Sequence, residues 1–229
     1  MLQTLYATLP AVDAAALVWF LMAWMGYGWL SEGSRWATHG LQGASRRHRH
    51  AWAQQMVQRE ARVSDAALVG NLMQTVSFYA NTTIYIIAGL LALLGTLDQV
   101  MSFAADLPFA SKPSRALWEL KLLVLLGVFV VAYFKFTWSI RQFNVLSILI
   151  GGTPTGGEGE AREAAIRRLA TVNSLAGDEF NRGIRAYYFG LAAVAWFIQP
   201  WLFIGLTSVI IIVLYRRDFA SAALRALES

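Results

Sequence analysis

Leu117-Trp118-Glu119-Leu120-Lys121 opens the stretch whose reading decides the fold. The apolar run 122–133 follows, and the stretch leaves it through Phe134-Lys135-Phe136-Thr137-Trp138-Ser139-Ile140-Arg141-Gln142-Phe143-Asn144 before closing at Ile150. A helix needs about 20 apolar residues to cross about 30 Å of hydrocarbon. This one has that length and then a charged, aromatic, amide-rich collar. It reads as a membrane-crossing helix with a polar inner end.

Three other blocks match it, at residues 12–30, 66–97 and 186–215. The chain is 57% hydrophobic and only 14% charged, too little polar surface for a soluble globule of 229 residues. The polar connections are too short for a separate soluble unit, so residues 1–229 are expected to form one membrane domain. The expected fold class is all-α: a polytopic helical bundle with short cytoplasmic amphipathic helices. The amino-terminal Met-Leu-Gln-Thr-Leu-Tyr lacks the basic start of a signal peptide, and Asp13 interrupts the approach to the first block, which is read as a retained helix. With no cysteine, disulfides and thiolate metal sites drop out. Nothing in the chain calls for a cofactor.

Arginine placement sets the expected direction. The connection around residues 31–65 holds six arginines against three acids, and the stretch 139–185 again holds six arginines. Between the second and third blocks, Lys112 and Arg115 only balance Asp98 and Asp106. Basic short loops stay cytoplasmic, so connections 31–65 and 151–181 are placed inside and the N-terminus outside. One crossing by the last block would put Arg216, Arg217 and Arg225 outside. Its centre reads Trp196-Phe197-Ile198-Gln199-Pro200-Trp201, and the residue before proline is biased away from helix. A hairpin turning at Gln199-Pro200 keeps those arginines inside, which gives five crossings with the C-terminus cytoplasmic. The competing shape is one Pro-kinked helix.

Residues 46–65 read as a cytoplasmic amphipathic helix that either lies along the inner leaflet or extends the second span, 160–176 as a second cytoplasmic amphipathic helix, and the tail 216–229 as a short one on the membrane surface. Arg46, Arg47 and Arg49 form a basic cluster expected to face anionic lipid headgroups, the preferred partner of a +5 chain whose arginines flank apolar spans. Nucleic acid is not expected. His39, His48 and His50 lack an acidic cluster beside them, so no metal site is expected. No coiled-coil seam stands out.

Two groups carry the functional expectation. Asn71, Gln74, Thr75, Phe78, Asn81, Thr82 and Tyr85 recur every three or four residues and share a face of the second spanning helix. Such groups need partners in hydrocarbon, so the stripe is expected to face protein or water. It either lines a path or supplies interhelical hydrogen bonds. At the inner end, Lys135, Arg141, Gln142 and Asn144 join Asn181, Arg182 and Arg185 as a collar of donors suited to carboxylate or phosphate. Lys135 reads as the one charge deep in an apolar run, either snorkelling with Lys121 to opposite interfaces or paired with Glu119 or Asp65.

The segments Ala66-Ala67-Leu68-Val69-Gly70-Asn71-Leu72, the collar through Arg141-Gln142-Phe143-Asn144, and Phe180-Asn181-Arg182-Gly183-Ile184-Arg185-Ala186-Tyr187-Tyr188 resemble the bacterial and plant membrane-protein family catalogued as domain of unknown function 599. The resemblance covers nearly the whole chain. It implies a multi-spanning protein, in the inner membrane for a bacterial member, and no activity. The leading functional expectation is a homo-oligomeric channel or transport-like protein with a polar-lined path for anions. Its rival is a lipid-binding membrane scaffold. An enzyme is not expected, because the acids noticed beside the spans (Asp13, Asp65, Asp98, Glu119) are scattered.

Overall fold

The computed structural model of the protein describes residues 10–33, 35–105, 114–156 and 158–228. Asp106 and Lys112 of the near-neutral connection, Gly157 and the first nine residues lie outside the described residues. The elements are α1 (Ala11–Glu32), a 3-10 turn (Arg35–Thr38), α2 (Leu41–Gln58), α3 (Val63–Gly95), α4 (Leu97–Ala105), α5 (Arg115–Gly152) and α6 (Gly159–Val194). A 3-10 turn (Ala195–Phe197), α7 (Pro200–Phe219) and α8 (Ala222–Glu228) complete the chain. The described residues are all-helical or in turns. Among the described residues three helices, α1, α3 and α5, are long and apolar enough to cross a membrane.

The deciding stretch is one helix of 38 residues, about 57 Å long at 1.5 Å per residue. Ser114 caps it, its Oγ accepting from the Leu117 amide at 3.4 Å. α5 packs antiparallel to both α3 and α6. The Arg62 guanidinium at the start of α3 donates to the carbonyls of Ile150 (2.8 Å) and Thr153 (2.5 Å) at the end of α5. On the other side, Ser139 donates to the Ala176 carbonyl at 2.7 Å, while Lys121 meets the far end of α6 at Trp196.

The apolar block 186–215 divides as expected. Gln199 is extended (φ −154°, ψ 142°) and Pro200 opens α7 at the first helical position, where its missing N–H costs nothing. The two arms run antiparallel, with Trp196 stacked on Phe203 at 5.1 Å and Arg217 donating to the Tyr188 hydroxyl. α7 therefore runs parallel to α1, against which Phe203 packs on Phe20 (5.1 Å) and Asp218 accepts from the Tyr27 hydroxyl (2.5 Å). A second aromatic knot ties α3, α5 and α6: Tyr79, Phe136, Phe180 and Tyr187 lie with ring centroids 5.5–5.9 Å apart.

Three expectations are corrected here. The stretch 160–176 is not a separate surface helix, because α6 runs unbroken from Gly159 through the expected helix start at Arg182 to Val194. Its glycines do not break it. They are sites of close approach: the Arg49 guanidinium occupies the space beside Gly177, and the Phe136 ring that beside Gly183. Residues 46–65 neither lie flat nor extend the second span. α2 stops at Gln58 and packs antiparallel on the first half of α6, and Asp65, fully buried, accepts from Trp52 (2.6 Å) and Arg59 (2.5 Å) to tie α2 to α3. The tail is likewise docked on protein. In α8, Leu224 is buried, Glu228 faces Arg47 at 3.5 Å and the Leu227 carbonyl lies 3.1 Å from a His48 ring nitrogen.

A side chain at Gly183 would have to displace a fully buried ring. Gly183→Leu is expected to cost about 1–3 kcal/mol or more by overpacking. Gly127→Leu on α5, where an added Cβ meets nothing within 4 Å, should unfold like wild type. Unfolding in mixed micelles compares the two. Equal stability would mean that α5 and α6 are not in this contact.

Candidate functional site

The polar stripe of α3 lies on the outside of the chain. Asn71, Gln74, Thr75, Phe78, Asn81 and Tyr85 are exposed and Thr82 half-buried, with Phe78 at 65% and Tyr85 at 77% exposure. Of the two expected settings, protein or water, the interior of its own copy is not the one the stripe faces. The opposite side of α3 carries the apolar residues Val69, Val76 and Leu90, and it wins the packing against α5 and α6. Thr75 and Thr82 satisfy themselves by donating to the carbonyls of Asn71 (3.0 Å) and Phe78 (2.8 Å). The amides of Asn71, Gln74 and Asn81 have no side-chain partner among the described residues.

The spacing of this face is itself informative. Asn71, Gln74, Phe78, Asn81 and Tyr85 alternate steps of three and four, and the same register takes in Ala67, Ala88 and Ala92, all exposed. That is the register of a heptad seam, here filled by amides, aromatics and alanines instead of the aliphatics of a coiled coil.

The collar divides. Lys135, Arg182 and Arg185 converge on a cavity of about 190 Å³ lined also by Trp24, Gly28, Glu32 and Val131, on the α1 side of the bundle, away from the stripe. Their charges are answered: Arg182 meets Glu32 at 2.6 Å and also Glu179, Arg185 meets Glu32, and Lys135 meets Glu179 at 3.1 Å. Three cations thus face two carboxylates. Arg141 lies elsewhere, exposed, over the Trp138 ring at 5.5 Å, and Asn144 is exposed. Gln142 and Asn181 are half-buried and do not join the cluster. The expected ring of free donors is therefore a paired network of three members.

Lys135 is not the deepest charge. Lys121 is 1% exposed and does not snorkel; it donates to the Trp196 carbonyl at 2.8 Å and faces Asp13 at 3.4 Å. Nor is Lys135 paired with Glu119 or Asp65. Glu119 is held by Arg115 at 3.0 Å, and Asp65 by Arg59.

The basic cluster is also corrected. Arg46 pairs with Asp178 at 2.7 Å, and Arg47 reaches Glu228 and the Thr38 carbonyl. Arg49 donates to the carbonyls of Asn173 (3.0 Å) and Ser174 (3.2 Å). Burial pushes the Arg49 guanidinium below its ordinary range, opposed by Asp178 and reinforced by Arg46. These guanidiniums hold α2 to α6 and α8, leaving only the half-open faces of Arg46 and Arg47 toward solvent or lipid.

Four acids answer these cations, none of them a candidate from the sequence: Glu32, Asp178, Glu179 and Glu228. Glu179 and Arg182 stand three apart on one helix, a legible pair. Glu32 offered only its position, a lone acid closing the first apolar block before six arginines.

A family model described as "Protein of unknown function, DUF599" matches residues 15–223. No curated protein and no solved structure matches.

Proposed function

The chain belongs to the DUF599 family of proteins of unknown function, and for it we propose a homo-oligomeric bacterial inner-membrane protein with a polar, transport-like path between copies along α3. In this reading α1, α3, α5, α6 and α7 are the five crossings, with the N-terminus outside and the C-terminus cytoplasmic. Alternation of helix direction supports it, as does the clustering of Arg46, Arg47, Arg49 and Arg62 with the C-terminal α8 at one end.

One observation carries the proposal: exposed, unpartnered amides repeat at seam spacing on an apolar helix. Facing acyl chains, each amide would lose its hydrogen bonds to water without replacement, at a cost of several kcal/mol. Copies in one membrane share orientation, so α3 meets α3 in parallel. Like amides then face each other, and each both donates and accepts. The expected anion preference rests on the exposed Arg141 near the inner end; the excess cation among Lys135, Arg182 and Arg185 lies on the α1 side, away from this path.

The natural absence of cysteine gives a clean test. Single Asn71→Cys, Gln74→Cys and Asn81→Cys variants should cross-link between copies, while Ile84→Cys, off the seam, should not. In proteoliposomes Asn81→Leu should change ion flux at least severalfold with assembly intact. Wild-type flux no higher than that of empty vesicles for every small ion would remove the path, whether or not the cross-links form.

A second reading, a lipid-binding scaffold, draws on a different observation. The single-copy interior is filled by the two aromatic knots, and the collar cavity opens sideways between α1 and α5. That reading expects anionic lipid retained at Lys135 and Arg182 and no flux.

A further inference from the structure

At the cytoplasmic end, beyond the crossings proposed above, α2, α5 and α6 enclose a cavity of about 330 Å³. Its walls are Val57, Leu149, Ala161, Ala165 and Leu169, with Ile148 at its edge. Ile148 is 72% exposed. The volume lies at the lower end of the range for small-molecule pockets, and such pockets combine apolar walls with a few polar groups that fix orientation.

Those polar groups are Arg162 and Arg168. Among the described residues Arg162 has no hydrogen-bond or ion-pair partner, and Arg168 makes only a 3.3 Å bond from Nε to the Ala164 carbonyl of its own helix. This sets them apart from Arg46, Arg59, Arg182 and Arg185, which all meet carboxylates. No acid lines the cavity. The N-cap Glu158 and first-turn Glu160 of α6 answer the helix dipole and do not line the cavity. Apolar walls with cations at the mouth and no acid among the lining residues select an amphiphile with a negative head.

We propose that this cavity binds a single-chain acyl anion from the cytoplasmic side, its chain against Val57, Leu149 and Leu169 and its head between Arg162 and Arg168. A bilayer phospholipid is the poorer fit. With Lys121 near the outer end of α5, twenty residues of span end near Ile140. Ile148 then lies about 12 Å farther on, and the cavity suits one chain. This placement rests on the five-crossing reading; the cavity and its arginines do not. Because three helices supply the walls, an occupant would brace the lobe that α2 makes with α5 and α6.

The test uses the full chain in phosphatidylcholine nanodiscs titrated with dodecanoate by calorimetry, with empty nanodiscs as the background. Wild type should show one saturable site above partition into lipid. The double variant Arg162→Gln/Arg168→Gln and the lip variant Ile148→Glu should each bind at least tenfold more weakly. Both alter exposed or half-buried positions, and a wild-type unfolding curve verifies that they are folded. Uptake equal to empty nanodiscs, or unchanged binding in the arginine variant, overturns the proposal. Full competition by inorganic phosphate also overturns it, since that would mean a site for the head alone. Loss of dodecanoate binding in these variants with unaltered α3 cross-linking supports this site independently of the path.

Discussion

Lys121→Met is expected to cost about 3–5 kcal/mol, the range for breaking a buried ion pair from one side. Asp13 is 6% exposed, and its Oδ1 takes the Trp196 indole N–H at 2.8 Å while facing Lys121 Nζ at 3.4 Å. The ammonium also lies 5.4 Å from the Trp196 ring centroid. Removing it leaves a carboxylate buried among apolar groups with one hydrogen bond and no opposite charge. Asp13→Leu/Lys121→Met removes both charges and should recover most of the loss, because the pair is expensive to desolvate in the first place. Unfolding in mixed micelles, followed by tryptophan fluorescence, measures both variants. A single variant within about 1 kcal/mol of wild type would mean the pair does not join α1, α5 and α6.

That pair shows where sequence reading stops. Asp13 and Lys121 were both visible, but their meeting depends on the turn after α6 bringing Trp196 against both, a long-range result no local spacing contains. The apolar blocks and the break at Gln199-Pro200 were legible because they are local. Hydrophobic length sets a spanning helix, and proline restricts the residue before it. Periodicity likewise grouped Asn71, Gln74, Phe78, Asn81 and Tyr85 correctly on one face. It could not give the direction of that face, which is decided by Val69 and Val76 packing on α5. The basic cluster misled for a related reason. Arginines beside apolar spans read as lipid-facing until their acids are located, and Asp178 sits over a hundred residues from Arg46. The continuity of α6 was hidden by Gly177 and Gly183, which look like interruptions but admit Arg49 and Phe136.

Glu32→Gln tests the other buried network and bears on the collar directly. Glu32 is the only carboxylate that Arg185 meets among the described residues, and it shares Arg182 with Glu179. The Arg185 side chain is 8% exposed, so losing this partner leaves a desolvated guanidinium. The expected cost is about 3 kcal/mol, the low end for a broken buried pair, since Arg182 keeps Glu179 and its 35% exposure screens the remainder. Arg185→Gln in the same background should restore part of the stability, and the double-mutant cycle isolates the pair. The variant also changes the charge of the cavity beside Trp24 and Lys135 from three cations against two carboxylates to three against one. Electrostatics then requires tighter retention of anionic lipid or a steeper anion preference in flux. If retention rises without flux, the collar is a lipid-binding surface; if anion flux rises, ions pass by the collar on the α1 side and not along α3 alone. If neither stability nor anion affinity moves, Glu32 is not the counter-charge of Arg185, and the paired collar is wrong.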